Sequence, residues 1–169
     1  MNRWTEAVSR DEIIKVASML IAIPSVSGDE RTIMVVVEAW ARERGLDVQV
    51  VSKDPSRPNL VISIGDPSTG PTIAMNGHLD VVPVSDASTW RTAPFDPVVS
   101  EDSVRLFGRG SSDMKAATGV MLYVLELLKN APLKGRLQAH IVSDEETSGL
   151  FGTIHVIDEI KAGPSTARS

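Results

Sequence analysis

The chain has 169 residues and a formal net charge of −5, with 42% hydrophobic and 23% charged residues. This length suits one domain that buries about two-thirds of its unfolded surface. The acidic balance argues against nucleic acid or an anionic membrane as a partner. The sequence contains no cysteine, which excludes disulfides and thiolate metal sites. Any metal would therefore need histidine and carboxylate ligands.

The N-terminal segment MNRWTEAVSRDEII carries charges where a secretory signal needs an apolar core. No apolar run approaches the roughly 18–20 residues that a membrane span requires. We therefore expect a cytoplasmic protein.

Apolar periodicity and turn residues predict helices that alternate with strands along the chain. Helices are expected over residues 11–23, 29–44, 116–129 and 152–160, and strands over 46–52, 59–64, 72–78 and 136–143. The proline-containing segment 83–108 is expected to form loop and short strand, and residues 161–169 a frayed tail. This order predicts an α/β fold, a layered sheet with helices on both faces.

The segment NGHLDVV places His78 and Asp80 at the end of a predicted strand. Residues i and i+2 of a strand point to the same side. Asp80 could thus accept the ring N–H that a metal-bound His78 does not use, which would select the histidine tautomer. A lone pair of this kind is more often an ordinary structural hydrogen bond.

Two later segments also place acidic side chains at the ends of predicted elements. GRGSSDMKA places Asp113 before a helix, where an ordinary N-cap is the alternative. SDEETSG places Asp144, Glu145 and Glu146 after a strand, where they repel one another unless cations or solvent compensate them. Because ligands at strand ends converge in a doubly wound sheet, the three segments together favour a metal site over separate solvated loops.

Other candidates have simpler interpretations. His140 and His155 are expected to be packing or surface residues. Arg109 is expected to brace the loop that follows it, with a substrate carboxylate as the alternative partner. Trp90 and Phe95 are expected to pack the loop that leads into this arginine.

In order along the chain, GHLDVVP, W-x-x-x-PF, LFGRGSSDMKA and SDEETSG resemble the M20 family of metallopeptidases. This group includes acetylornithine deacetylase, succinyl-diaminopimelate desuccinylase and carboxypeptidase G2. The segment IPSVSGDE also resembles the family's opening, so the resemblance spans essentially the whole chain. It implies that residues 1–169 are the N-terminal part of a dizinc-peptidase catalytic domain, without the lid domain.

The resemblance implies a role for five residues and a bound metal pair. The metals would be two Zn²⁺ ions, with Co²⁺ or Mn²⁺ as substitutes. His78 would bind one metal, Asp113 would bridge both, Glu146 would bind the other, Glu145 would be the general base, and Asp80 would orient the histidine. The family pattern also implies a cis peptide bond between Asp113 and Met114.

The implied reaction is hydrolysis of an amide bond in an N-acyl amino acid or small peptide, with water activated between the two metals. A deacylase of the acetylornithine or succinyl-diaminopimelate type is the narrower expectation. Longer members add a further acidic ligand, a late histidine and the lid through which they often form homodimers. We therefore expect this chain alone to lack full activity.

Two other functions are compatible with parts of the pattern. One is a non-catalytic fragment that binds a partner through an open sheet edge. The other is an aminopeptidase of the related M28 type, which LFGRGSSDMKA followed by the three acids disfavours.

Overall fold

The computed structural model describes residues 6–102 and 104–162. Its helices are α1 (Arg10–Ile21), α2 (Arg31–Glu43), α3 (Lys115–Leu128) and α4 (Thr153–Ala162). Its strands are β1 (Asp47–Val51), β2 (Asn59–Asp66), β3 (Thr72–His78), β4 (Val98–Val99), β5 (Leu106–Phe107) and β6 (Gly135–Val142). Short 3-10 turns lie at Pro67–Thr69 and Ala87–Thr89.

Each predicted helix and strand has a counterpart at nearly the same place. The largest difference at the C-terminal end is that α4 continues through Ala162, into the expected tail. Residues 163–169, the rest of that tail, lie outside the described residues. Within the described ranges, no helix combines the length and the hydropathy needed to cross a membrane.

The main sheet has the strand order β1-β2-β6-β3, and β4 and β5 form a separate two-stranded sheet. β1 and β2 are antiparallel, as are β2 and β6, whereas β3 and β6 are parallel. In the parallel pair, His78 lies opposite Val142. The carboxyl ends of β3 and β6 therefore meet at one edge of the sheet.

Helices cover both faces of the sheet, which confirms the predicted α/β layering. Alternating residues of β2 face opposite sides because side chains alternate along a strand. Leu60 and Ile62 pack into the core beneath α1, α2 and α3, whereas Val61 packs with Val156 of α4 on the other side. Burying each such side chain contributes about 1.5–3 kcal/mol.

The start of α3 is tied to the end of α1. Gly119 lies so close to α1 that an added Cβ would be 3.2 Å from the backbone of Ala17. The fully buried Lys115 donates from Nζ to the carbonyl oxygens of Leu20 (3.0 Å) and Ile23 (2.6 Å). Both acceptors lie at the C-terminal end of α1, where carbonyl groups lack the regular helical N–H partner; that of Leu20 also accepts from the N–H of Ile23 at 3.4 Å. The contact places the loop before α3 against the sheet edge where β3 ends.

Candidate metal centre

Three side chains from separate motifs meet at the carboxyl ends of β3 and β6. His78, Asp113 and Glu146 each offer one ligand atom, and these atoms lie within 4.8 Å of one another. His78 Nε2 is 3.0 Å from Asp113 Oδ1 and 3.5 Å from Glu145 Oε2. We call His78, Asp113 and Glu146 the ligand cluster.

The ligand cluster brings two carboxylates together beside a histidine whose charge only partly compensates theirs. Burial raises the pKa of Glu146, and repulsion from Asp113 raises it further. Burial alone would lower the pKa of His78, but its contacts with Asp80 and Asp113 outweigh this effect and raise the pKa to about 9. A carboxylate whose pKa is raised by a neighbouring acid is a place where a bound cation is stabilising.

The ring of His78 is oriented from its Nδ1 side. Nδ1 lies 3.0 Å from the backbone carbonyl oxygen of Asp80 and 3.4 Å from Asp80 Oδ1. The carboxylate of Asp80, which the sequence predicted as the partner of Nδ1, is therefore farther from Nδ1 than the carbonyl oxygen is. The reason is that β3 ends at His78, so the alternation of side chains along a strand does not extend to Asp80. Either acceptor suits an Nδ1–H tautomer, which leaves Nε2 to bind a metal.

The carboxylate of Asp80 instead holds the backbone that carries the two glutamates. Asp80 is fully buried; Oδ1 accepts from the N–H of Glu145 (3.1 Å) and Oδ2 from the N–H of Glu146 (3.0 Å). The hydroxyl of Ser27 also donates to Oδ2, at 2.9 Å. Burial would raise the pKa of Asp80, but these hydrogen bonds and the contact with His78 lower it overall. This role of Asp80 was not apparent from the sequence.

Asp113 does not cap α3. The residue at the N-cap position is Met114, and no side chain caps this helix end. The carboxylate of Asp113 points instead to His78, and its side chain is 72% exposed. The Asp113–Met114 peptide bond is cis, which confirms the expectation drawn from the resemblance. The ordinary N-cap interpretation of Asp113 is therefore wrong.

A cleft of about 240 Å³ opens beside the ligand cluster, and Arg109 lines it together with Asp113 and Glu146. The guanidinium of Arg109 lies 5.0 Å from the ring centroid of Trp90, and its backbone N–H donates to the carbonyl of Pro94 at 2.6 Å. Both contacts tie Arg109 to the loop that precedes it, so the brace of the following loop stays a prediction.

The other two histidines lie elsewhere. His140 is buried within β6, and burial lowers its pKa. His155 is half-buried on α4. Neither belongs to the ligand cluster.

Buried ion pairs behind the ligand cluster were also not apparent from the sequence. Asp144 was expected to be one of three mutually repelling acids, yet it is 1% exposed and pairs with Arg57. Arg57 also pairs with Glu30, which is fully buried. No local pattern signals these pairs, because the partners are far apart along the chain.

The donor set of the ligand cluster fits a divalent metal. It comprises one imidazole nitrogen with its second nitrogen occupied and carboxylate oxygens from two residues. Zn²⁺ accepts these ligands, and so do Co²⁺ and Mn²⁺.

The sequence profile of peptidase family M20/M25/M40 matches residues 74–167, more than half of the chain. The chain therefore belongs to this peptidase family, as the resemblance implied. The matched residues include the whole ligand cluster.

Curated relatives of known name include two desuccinylases. The chain is 38% identical over 148 residues to succinyl-diaminopimelate desuccinylase of Buchnera aphidicola subsp. Acyrthosiphon pisum (strain Tuc7), which covers 86% of the chain and 38% of that protein. It is 32% identical over 155 residues to the enzyme of the same name from Buchnera aphidicola subsp. Baizongia pistaciae (strain Bp), covering 90% and 40%. The chain thus spans about two-fifths of these relatives' length.

Solved structures show the same fold. An M20 family metallo-carboxypeptidase from Sulfolobus solfataricus superimposes with a TM-score of 0.72 at 22% identity, covering 83% of this chain and 32% of that one. A dinuclear metal-binding peptidase of the M20 family from Bacillus subtilis gives a TM-score of 0.61 at 19% identity, covering 88% and 38%. The mixed α/β architecture is therefore that of M20 catalytic domains.

Proposed function

We propose that this chain supplies the metal-binding part of an amide-hydrolysing site, with His78, Asp113 and Glu146 as its metal ligands. The observation that carries the proposal is the convergence of these three side chains, which come from three separate motifs, to within 4.8 Å. Membership of a peptidase family and identity to desuccinylases support it.

In this proposal, Asp113 would be a ligand of two Zn²⁺ ions, with His78 as a further ligand of one and Glu146 of the other. Likeness to the Bacillus subtilis peptidase, which is a dinuclear metal-binding protein, supports the sharing. Co²⁺ or Mn²⁺ could replace zinc because the ligands are nitrogen and oxygen. When bound, the metal pair supplies Lewis acidity that polarises the amide carbonyl and acidifies the attacking water.

Glu145 is the residue that would move the proton. Its side chain is 55% exposed and reaches to 3.5 Å from His78 Nε2, while its backbone is held by Asp80. As general base it takes a proton from the attacking water and delivers it to the leaving nitrogen as the C–N bond breaks. The products are a carboxylate and an amine. Because Glu146 would serve as the ligand, Glu145 could transfer the proton while the metal keeps all of its ligands.

The proposed substrates are N-acyl amino acids or small peptides. Identity of 38% to a succinyl-diaminopimelate desuccinylase supports the narrower deacylase assignment. A second, more apolar cavity of about 630 Å³, lined by Trp90, Val98 and Phe107, adjoins the cleft through shared Gly108 and Ser111. Because the relatives are more than twice as long, we propose that full activity needs segments beyond those of this chain.

The experiment that tests the proposal is a calorimetric Zn²⁺ titration of the metal-free chain with its His78→Ala and Asp113→Ala variants. We expect micromolar or tighter binding by the unmodified chain and at least about a 100-fold loss in either variant, since each removes a ligand. His155→Ala is the matched control, because it removes a histidine outside the ligand cluster, and it should bind as the unmodified chain does.

Two results would contradict the proposal: no zinc binding by the unmodified chain, or binding that both ligand variants retain. The stoichiometry tests the bridging role. Two ions per chain support the shared Asp113, whereas one ion would place all three ligands on a single metal.

A partner-binding fragment is the second candidate, and the outer edge of β3 favours it. Among the described residues, β3 pairs only with β6, and Ile73 is 61% exposed. An unpaired strand edge invites pairing with another chain. Concentration-dependent dimers that bind no zinc would favour this function over the hydrolase.

A further inference from the structure

Arg57 lies between two carboxylates that the fold removes from solvent. Its Nε donates to Glu30 Oε2 at 3.1 Å, and its Nη2 donates to Glu30 Oε1 at 2.8 Å. The same Nη2 is 2.9 Å from Asp144 Oδ1. Glu30 is fully buried and Asp144 is 1% exposed. A buried carboxylate is strongly disfavoured without a partner, so both acids depend on this guanidinium. We call Arg57, Glu30 and Asp144 the Arg57 clamp.

One arm of the clamp fixes the segment that carries the two glutamates. Asp144 directly precedes Glu145 and has a φ of 69°, in the left-handed region. Its Oδ2 accepts from the N–H of Phe151 (3.0 Å) and the hydroxyl of Ser148 (3.1 Å), and its Oδ1 accepts from the hydroxyl of Thr147. The guanidinium of Arg57 also lies 5.2 Å from the ring centroid of Phe151. Arg57 thus contacts both ends of the segment 144–151.

The other arm reaches the same glutamates from the opposite side. Glu30 Oε1 accepts from the N–H of Gly28 at 2.8 Å, next to Ser27. Ser27 donates to Asp80, and Asp80 accepts from the backbone N–H groups of both glutamates. The two arms therefore close a continuous chain of charge-assisted contacts around this backbone.

We propose that Arg57 is a positioning residue, which sets the backbone of Glu145 and Glu146 through Asp144 on one side and Glu30 on the other. Arg57 makes no contact with the ligand cluster among its described hydrogen bonds and ion pairs, so it acts through these partners. The inference rests on the proposed function only for the chemical roles of the two glutamates.

Two conservative variants weaken the clamp while keeping a polar side chain at the changed position. Arg57→Met would leave two buried carboxylates unpaired, and such a variant can fail to fold. Arg57→Lys keeps the charge but loses the planar fork that reaches both acids. Asp144→Asn keeps a side-chain acceptor and a residue type that tolerates positive φ, but it loses the charge that pairs with Arg57.

Arg31→Met is the matched control. Arg31 is exposed and donates to the carbonyl of Pro55 at 2.9 Å, two residues before Arg57. This variant therefore removes an anchor of the same loop while leaving the clamp intact. A difference between Arg31→Met and Arg57→Lys separates positioning from general support of the loop.

The first measurement is hydrogen exchange of individual backbone amides in the metal-free protein. In Arg57→Lys and Asp144→Asn, the amides of Glu145 and Glu146 should exchange at least about 10-fold faster, while the amides of β2 and β6 keep their protection. Arg31→Met should match the unmodified chain. Unchanged exchange at the two glutamates, or equal acceleration throughout the sheet, would overturn the proposal.

The second measurement is a Co²⁺ titration followed by visible absorption. We expect Arg57→Lys to bind Co²⁺ about 10-fold more weakly, with an altered spectrum. Loss of a group that orients the ligands without binding the metal typically weakens metal sites by about 10–100-fold. Co²⁺ binding identical to that of the unmodified chain would overturn the role of Arg57 at the site. If the unmodified chain binds no Co²⁺, the proposed function fails, and hydrogen exchange still decides whether Arg57 positions the glutamates.

Discussion

The Arg57 clamp and the ligand cluster use the same kinds of residue with opposite electrostatic results. In the clamp, burial would raise the pKa of Asp144, but hydrogen bonds from Thr147, the backbone of Phe151 and other groups leave it below its ordinary value. In the ligand cluster, burial and Asp113 raise the pKa of Glu146, two residues further along the chain. A carboxylate becomes structural where the fold supplies several donors and positive charge, and becomes a candidate ligand where burial and neighbouring acids outweigh the positive charge that His78 supplies.

The two regions should also differ in rigidity. The clamp and Asp80 hold the backbone that carries Glu145 and Glu146, whereas the side chains of Glu145 and Asp113 are exposed. A site built in this way would keep its geometry without a metal, which would reduce the cost of ordering it if a metal binds.

The largest expected effect comes from Asp80, which connects the two regions. Asp80→Ala leaves the amides of Glu145 and Glu146 and the hydroxyl of Ser27 without their acceptor. We expect a loss of about 3 kcal/mol in the free energy of unfolding, because a buried charged partner is removed. Urea denaturation measures it.

The control for Asp80→Ala is Asp86→Ala. Asp86 is exposed, and its side chain accepts from the N–H of Ser88 at the start of a short 3-10 turn. Loss of such an exposed cap should cost much less than removal of the buried carboxylate of Asp80. Equal losses in the two variants would mean that Asp80 does not hold the glutamate backbone.

An intermediate effect is expected in acid, where the clamp loses its charge. The pKa of Asp144 is lower in the folded chain than its ordinary value of 3.8, so the ionised form stabilises the fold above that value. This stabilisation is lost as the pH falls through the folded pKa. The stability advantage of the unmodified chain over Asp144→Asn should therefore be constant near neutrality and shrink below about pH 4. Urea denaturation at pH 6, 4 and 3 checks this, and a difference that does not vary with pH would contradict it.

The smallest effect is expected in the ligand cluster, and it has the opposite sign. Because the pKa of Glu146 is raised in the folded chain, its ionisation costs stability, and this cost appears as the pH rises above the ordinary value of 4.5. Without metal, Glu146→Gln should therefore be more stable than the unmodified chain at pH 7, by about 0.5 kcal/mol, the scale of partly exposed charge interactions. The gain should vanish near pH 4, and thermal denaturation with a chelator present measures both. A variant that is less stable at pH 7 would show that Glu146 is not repelled by its neighbours.

Much of the fold was predictable because its signals are local. The spacing of apolar residues located helices α1 to α4 and the long strands, and Gly45, with a φ of 73°, stands directly after the C-cap of α2, where such a residue ends a helix. The order of strands in the sheet was not predictable, because β6 inserts between β2 and β3 through contacts distant in sequence. The motifs indicated the three candidate ligands, but the short distances between their side chains depend on the parallel pairing of β3 with β6.

By itself, the sequence determined the class of chemistry available: without cysteine, a metal site has to use histidine and carboxylates, and the motifs placed these at the ends of elements. The tertiary structure decided which acids are neutralised. Asp80 reaches a glutamate amide 65 residues away, and Arg57 reaches Glu30 across 27 residues. Charge compensation depends on distance in space and on removal from water, and neither can be read from neighbours along the chain.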